Sequence, residues 1–142
     1  MYRNDCFVLS FLVLSFIIIS FFIFGTTKMP SKSSLSAPEH IQELIHKYPV
    51  VVFSKSTCPY CQKAKKLLAK YKLEDKYYVL ELNELSNTDE YQTELKKLTD
   101  DRTVPRIFIG GKCIGDEEDL ENLEKQGDLT RLLKEHKATE DS

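Results

Sequence analysis

No tryptophan occurs in the 142 residues, which excludes any W-C-G-P-C motif. Histidine is scarce, and His40, His46 and His136 lie in helical stretches without ligand spacing. The four cysteines do not make up the shortfall, because Cys6 and Cys113 stand far along the chain from Cys58 and Cys61. A structural zinc site takes about four ligands, so no metal centre is expected. Excess positive charge is missing too. The formal net charge is −2, and setting aside Arg3, Asp5 and Lys28 leaves −3 for residues 29–142. A mildly acidic chain lacks the electrostatic footprint of a nucleic-acid binder. There are no internal repeats, and only the tail KATEDS is compositionally simple.

One long apolar run is present. From Phe7 to Phe24 every residue is apolar except Ser10, Ser15 and Ser20. Eighteen residues approach the length that spans a bilayer as a helix. The run has no polar face, exceeds the usual apolar stretch of a cleaved signal, and is followed by IFGTTK, a poor cleavage site. Residues 1–28 therefore read as a transmembrane or signal-anchor segment, with a cleaved targeting peptide as the second choice. Arg3 on one side and Lys28 and Lys32 on the other leave the orientation nearly tied. The expected location is single-pass and membrane-anchored in the secretory pathway. A start at Met29 would instead give a soluble cytoplasmic form. Residues 29–36 read as a Pro/Ser-containing linker, 37–138 as the folded domain and 139–142 as a tail.

Helix and strand patterns alternate through that domain. APEHIQELIHKY places Ile41, Leu44, Ile45 and Tyr48 at helical spacing. VVVF (50–53) is a short β-branched run, as a buried strand should be. Ala64, Leu67, Leu68 and Tyr71 recur at i, i+3, i+4 and i+7, opposite Lys63, Lys66 and Lys70. KYYVLELN (76–83) predicts a second strand. The next helix starts at Asn87 as N-cap, with Glu90 reaching back and Tyr91, Leu95 and Leu98 inward. RIFIGGKCIG predicts a hairpin turning at Gly110-Gly111. Two helices follow, the first ending at Gly127. A helical crossover joins the first two strands, so they should pair in parallel, with the hairpin as an antiparallel edge. The expected fold is α/β, a four-stranded mixed sheet flanked by helices.

Cys58 and Cys61 sit at the junction of the first strand and the helix after it. C-x-x-C beside a βαβ pattern points to a thioredoxin-like redox site. Pro59 suits the first helical position, which places Cys58 at the N-cap. There the free N–H groups of the first turn and the helix dipole favour thiolate over thiol, and Lys55 adds a cation. Cys61, one turn in, should be more buried and keep its proton more firmly. Cys58 thus reads as the attacking cysteine and Cys61 as the resolving one. A purely structural disulfide is disfavoured, since a bridge enclosing two residues constrains little chain entropy. Cys6 and Cys113 read as an apolar filler and a strand residue.

CPYC (58–61), TVP (103–105), IGGKCIG (109–115) and DLENL (119–123) occur in order, and LELNELSN (80–87) lies between the first two. With these motifs the chain strongly resembles the dithiol glutaredoxins from Ala37 to His136. The resemblance implies a thioredoxin-like fold and a glutathione-dependent thiol–disulfide oxidoreductase. It implies no bound cofactor, with glutathione as reductant. The implied partners are glutathione and glutathionylated or disulfide-bonded proteins and, indirectly, glutathione reductase and NADPH. The implied state is a monomer. Thr103-Val104-Pro105 would form a cis-proline turn facing Cys58. Its Val104 backbone groups would then pair with the cysteinyl unit of glutathione, as in strand addition. Lys55 would attract the glycyl carboxylate, with Gln92 as a second contact, and Tyr60 would wall the groove. Glu117 and Glu118 would lie at the γ-glutamyl end. The family pattern I-G-G-x-[DS]-D-L departs here to IGDEEDL. Asp116 replaces the second glycine and should strain the turn if its φ is positive. The acidic cluster should repel a carboxylate and attract an amine. Two other classes compete: an iron–sulfur cluster module, against which Pro59 argues, and a glutathione-independent thioredoxin-type oxidoreductase.

Overall fold

The computed structural model describes residues 35–139. The apolar run at 7–24 lies outside the described residues. Among the described residues no helix is long and apolar enough to cross a membrane.

β1 (Val50–Ser54) organises the domain. All five of its residues are buried, as the unbroken apolar run VVVF requires of a strand covered on both faces. It pairs in parallel with β2 (Tyr77–Glu81) and antiparallel with β3 (Arg106–Ile109). β3 in turn pairs antiparallel with β4 (Lys112–Gly115), giving the sheet order β2-β1-β3-β4. The parallel pair and the antiparallel edge are those the crossover and hairpin dictate. Gly110, with φ 56°, lies in the hairpin turn, where an added Cβ would meet the His136 ring.

Strand alternation divides the core. Val51 and Phe53 face α1 (Ala37–Lys47) and α3 (Thr88–Thr99), packing on Ile41, Leu44, Tyr91 and Leu95. Val50 and Val52 face α2 (Pro59–Leu68), α4 (Glu117–Gln126) and α5 (Asp128–Glu135), packing on Ala64, Leu68, Leu120, Leu129 and Leu133. Helices thus cover both faces of the sheet.

Three local expectations need correcting. β2 stops at Glu81, because Leu82–Glu84 coil into a 3-10 turn that buries Leu82. Asn87 is the N-cap residue of α3, but its side chain caps nothing; its Nδ2 donates to Glu90 Oε2 at 2.9 Å. Leu98 is 40 % exposed rather than inward. It belongs to the last turn of α3 and rims a small cleft with Ile45, Phe108 and Gly111.

Candidate active site

The site lies where β1 hands the chain to α2. Cys58 is the N-cap residue of α2, with extended backbone (φ −86°, ψ 121°), and Pro59 is the first helical residue. Its N–H donates to Lys55 O at 2.9 Å, closing the turn between strand and helix. A second set of bonds fixes Ser56. Its N–H donates to Asn83 Oδ1 at 2.9 Å, its Oγ accepts from Asn83 Nδ2 at 2.8 Å, and its carbonyl accepts from Gln62 Nε2 at 3.1 Å. Asn83 thereby ties the turn after β2 to the cysteine loop. Nothing in the LELN pattern singled it out.

The two cysteines occupy different surroundings, as the N-cap argument anticipates. Cys58 is half-buried and Cys61 is fully buried. Both are free thiols. The Cys58 thiol donates across the site to Val104 O at 3.7 Å, and the Cys61 sulfur accepts the Lys55 backbone N–H at 3.5 Å. Burial pushes the Cys61 thiol above its ordinary pKa, and the neighbouring Cys58 adds to the shift. Cys113, half-buried on β4, is also pushed up by burial.

Opposite the cysteines, the Val104–Pro105 peptide bond is cis. The Val104 carbonyl receives the Cys58 thiol, while its N–H makes no hydrogen bond with any described residue. Beside it runs a groove of about 420 Å³, lined by Tyr60, by Thr103, Val104 and Pro105, and by Asp116, Glu117 and Glu118. Six of the eight residues assigned to ligand contact from the sequence therefore meet in one groove. Tyr60 is 59 % exposed, with Lys63 Nζ 5.4 Å from its ring centroid. The other two, Lys55 and Gln92, do not line the groove. Lys55 Nζ donates to Gln92 Oε1 at 3.2 Å, and Gln92 Nε2 donates to Arg102 O at 3.2 Å. They form a polar pair beside the Thr103 loop.

Asp116 corrects the strain expectation. Its φ is −109°, in the extended region open to any residue. The residue that requires left-handed freedom is Gly115, at φ 112°, where a Cβ would strike the Asp119 side chain. Asp116 instead caps α4. Its Oδ1 accepts from Glu118 N–H at 2.9 Å and Asp119 N–H at 3.4 Å, while Asp119 Oδ2 accepts Asp116 N–H at 3.2 Å. Beneath it lies Arg106, 5 % exposed, which the sequence reading passed over. Arg106 donates to Thr103 O at 3.1 Å, to Thr103 Oγ1 at 3.0 Å and to Asp101 Oδ2 at 3.0 Å, and pairs with Asp116 Oδ2 at 3.7 Å. One buried guanidinium thus links the Thr103 loop to the start of α4, the two sides of the groove. The signal was available: an arginine opening an otherwise apolar buried strand needs partners. The Thr103 N–H chiefly, with the Arg106 charge as a lesser cause, holds the Asp101 carboxyl below its usual range.

Among the described residues, no group of three or more His, Cys, Asp or Glu is placed to hold a metal ion.

Residues 50–114 match the family model described as Glutaredoxin. The chain is 38 % identical over 120 residues to Glutaredoxin-C1 of Arabidopsis thaliana, covering 84 % of this chain and 94 % of that protein. It is 39 % identical over 108 residues to mitochondrial Glutaredoxin-2 of Mus musculus, covering 76 % and 68 % respectively. Among solved structures, a buckwheat glutaredoxin–glutathione complex superposes with a TM-score of 0.68 at 38 % identity, over 73 % of this chain and 93 % of that one. Oxidized glutaredoxin 2 from Chlamydomonas reinhardtii gives the same TM-score, 0.68, at 39 % identity over 72 % and 94 %.

Proposed function

The chain belongs to the glutaredoxin family, and we propose that it works with Cys58 as nucleophile and Cys61 as resolving thiol. Glutaredoxins of this dithiol type are thiol–disulfide oxidoreductases that use glutathione as co-substrate. The observation that carries the residue roles is the asymmetry of the pair. Cys58 is accessible at a helix N-terminus beside an open groove, whereas Cys61 is buried beneath it with its sulfur held by the Lys55 N–H.

The steps balance as thiol–disulfide exchanges. With a protein–glutathione mixed disulfide, the Cys58 thiolate attacks the glutathione sulfur. The protein leaves as thiolate, and glutathione remains on Cys58. A second glutathione thiolate attacks that bond, releasing oxidised glutathione and restoring Cys58. With a protein disulfide, Cys58 forms a mixed disulfide with one substrate sulfur. Cys61, deprotonated, then attacks the Cys58 sulfur, releases the second substrate thiolate and closes the Cys58–Cys61 bridge. Two glutathione molecules reopen the bridge and leave as oxidised glutathione, which an NADPH-dependent reductase recycles.

In this reading the groove holds the glutathione moiety. The Val104 N–H and C=O pair with its cysteinyl backbone once the Cys58 thiol releases the carbonyl, and Tyr60 closes one side. Lys55 and Gln92, as a pair, meet the glycyl carboxylate through the ammonium. The start of α4 receives the γ-glutamyl end. Glutathione-dependent turnover of a glutathionylated peptide tests the assignment: wild type and Cys61→Ser should be active and Cys58→Ser inactive.

Residues 1–28 fit a membrane anchor for this domain through the run at 7–24, with residues 29–36 as linker. Carbonate extraction and microscopy of tagged full-length and Met29-start forms test that placement. Retention of the full-length form in membranes is expected, with release of the shorter one.

A further inference from the structure

Lys55, Ser56 and Thr57 join β1 to the N-cap of α2, and Lys55 serves both cysteines. Its N–H donates to the Cys61 sulfur at 3.5 Å, and its carbonyl accepts the Cys58 N–H at 2.9 Å. Where the Lys55 backbone stands therefore decides how both thiols are held. The anchors of this turn lie at the next residue. Every polar group of Ser56 is tied outside the turn: its N–H and Oγ to the Asn83 side chain, and its carbonyl to Gln62 Nε2. Gln62 belongs to α2, the helix the turn leads into. Asn83 lies in the 3-10 turn Leu82–Glu84 after β2, so it alone holds Ser56 from a separate part of the fold.

Cys61 depends on that anchor more than Cys58 does. It is fully buried, and burial is the largest influence on its thiol, pushing it up. The Lys55 N–H is the strongest counterweight. A thiolate withdrawn from water needs such a donor, and the bond weakens steeply as the donor loses alignment. The ionisable groups on the elements around Cys61 include the adjacent Cys58, Lys55 on Gln92, the Lys65–Glu81 pair between α2 and β2, and the Lys63–Glu117 pair between α2 and α4. Among their charges Cys58 acts most on the thiol.

We propose that Asn83 is a positioning residue for the resolving step. Its two bonds to Ser56 hold the Lys55 N–H on the Cys61 sulfur, where it stabilises the thiolate that attacks Cys58. This role rests on the oxidoreductase reading above and gives a part in it to a residue that bonds neither cysteine.

A single turnover without free glutathione separates the two thiols. The reduced full-length protein takes glutathione from a glutathionylated peptide, and release of the peptide reports Cys58. The Cys61 thiolate then attacks the Cys58 sulfur, the Cys58–Cys61 bond forms, and glutathione leaves as its thiolate, which reports Cys61. In Asn83→Ala at neutral pH the second phase should slow about threefold relative to the first. Weakening one bond to a charged acceptor raises the Cys61 titration by about one pH unit. That cuts the thiolate about tenfold, and the greater nucleophilicity of a more basic thiolate recovers about threefold. Asn83→Asp should restore the ratio, because two carboxylate oxygens accept both the Ser56 N–H and its hydroxyl. Asn83 is exposed, so neither substitution disturbs the core. Equal slowing of both phases overturns the proposal, as does an unchanged second phase or an Asn83→Asp protein that behaves like Asn83→Ala. The Cys61 titration is followed in parallel by NMR of isotope-labelled cysteine in the Cys58→Ser background, where one thiol of the pair ionises alone. A midpoint higher by about one pH unit is expected when Asn83→Ala is added, and coincident midpoints overturn the clamp. If no thiol were exchanged at all, the oxidoreductase reading would fail while this titration still decided the role of Asn83.

Discussion

Asp116 Oδ1 accepts the backbone N–H of Glu118 at 2.9 Å, so the helix that faces the groove is capped by its own preceding residue. This contact sets two effects against each other. Replacing an aspartate cap by glycine costs only about a few tenths of a kcal/mol of stability. The same replacement frees the N–H groups of Glu118 and Asp119 for a ligand carboxylate and removes one negative charge. Asp116→Gly should therefore be less stable in denaturant yet show a lower KM for glutathione, more so at low salt. Asp116→Asn keeps a good cap, so it should fall between the two in KM while holding its stability. An unchanged or higher KM in Asp116→Gly at both low and high salt would reduce the acidic turn to a helix cap.

Arg106 carries a second prediction. Its side chain is 6 % exposed and serves Thr103, Asp101 and Asp116 together. Arg106→Met should leave those acceptors without their donor and cost about 3 kcal/mol. Arg106→Lys should recover only part of this, because an ammonium cannot match the guanidinium fork. Urea denaturation measures the loss, and the KM for glutathione should rise in both variants as the Thr103 loop loosens. Wild-type stability in Arg106→Met would show that the guanidinium links nothing of consequence.

The fold was legible because its signals are local and repetitive. VVVF has the length and branching of a doubly buried strand, the GG turn sets the hairpin, and Pro59 after Cys58 marks the helix start. The groove residues came instead through the resemblance to glutaredoxins, which CPYC, TVP and the acidic turn carry in short segments. What escaped depends on where side chains point in three dimensions. Arg106 reaches Asp116 across the Thr103 loop, and Asn83 reaches Ser56 from the far end of β2. Neither relation leaves a periodic trace. Lys55 and Gln92 are both expected at one carboxylate, and only the fold shows them bonded to each other. The Asp116 strain expectation failed by one residue, because the left-handed position belongs to Gly115.

Tyr77 predicts an alkaline effect. Burial, reinforced by the nearby Glu81 charge, pushes its phenol up to about 12. Its hydroxyl is buried and makes no hydrogen bond to any described residue. In the unfolded chain the phenol ionises near pH 10, at about its usual value. Between there and about 12 the native state holds a proton that the unfolded state has lost. Stability must then fall as pH rises through that window. Tyr77→Phe should be neutral to about 1 kcal/mol more stable at pH 7 and should lose less stability toward pH 12. Denaturant midpoints at several pH values check both parts, and parallel curves for the two proteins would contradict the buried phenol.

Cys61 predicts a pH dependence of catalysis. Its thiol is raised chiefly by burial, a cause that persists when Cys58 is engaged in a mixed disulfide. The resolving step needs the Cys61 thiolate, so its rate should keep climbing above about pH 8.5, the value for a free thiol. Deglutathionylation, which uses a glutathione thiolate in place of Cys61, should instead level off once that free thiol ionises, at about pH 8.5. Reduction of a peptide disulfide and of a glutathionylated peptide, followed across the same pH series, separates the two. Coincident profiles would mean that closure of the Cys58–Cys61 bridge is not limited by this proton.

The division of labour between the two cysteines is tested most directly by one comparison. Wild type, Cys58→Ser and Cys61→Ser are assayed for glutathione-dependent reduction of a glutathionylated peptide and of a dithiol-requiring protein disulfide. Cys58→Ser should lose both reactions. Cys61→Ser should keep the first and lose the second. Substantial deglutathionylation by Cys58→Ser, or undiminished reduction of the protein disulfide by Cys61→Ser, would contradict the assignment of the accessible N-cap thiol as nucleophile and the buried one as its resolver.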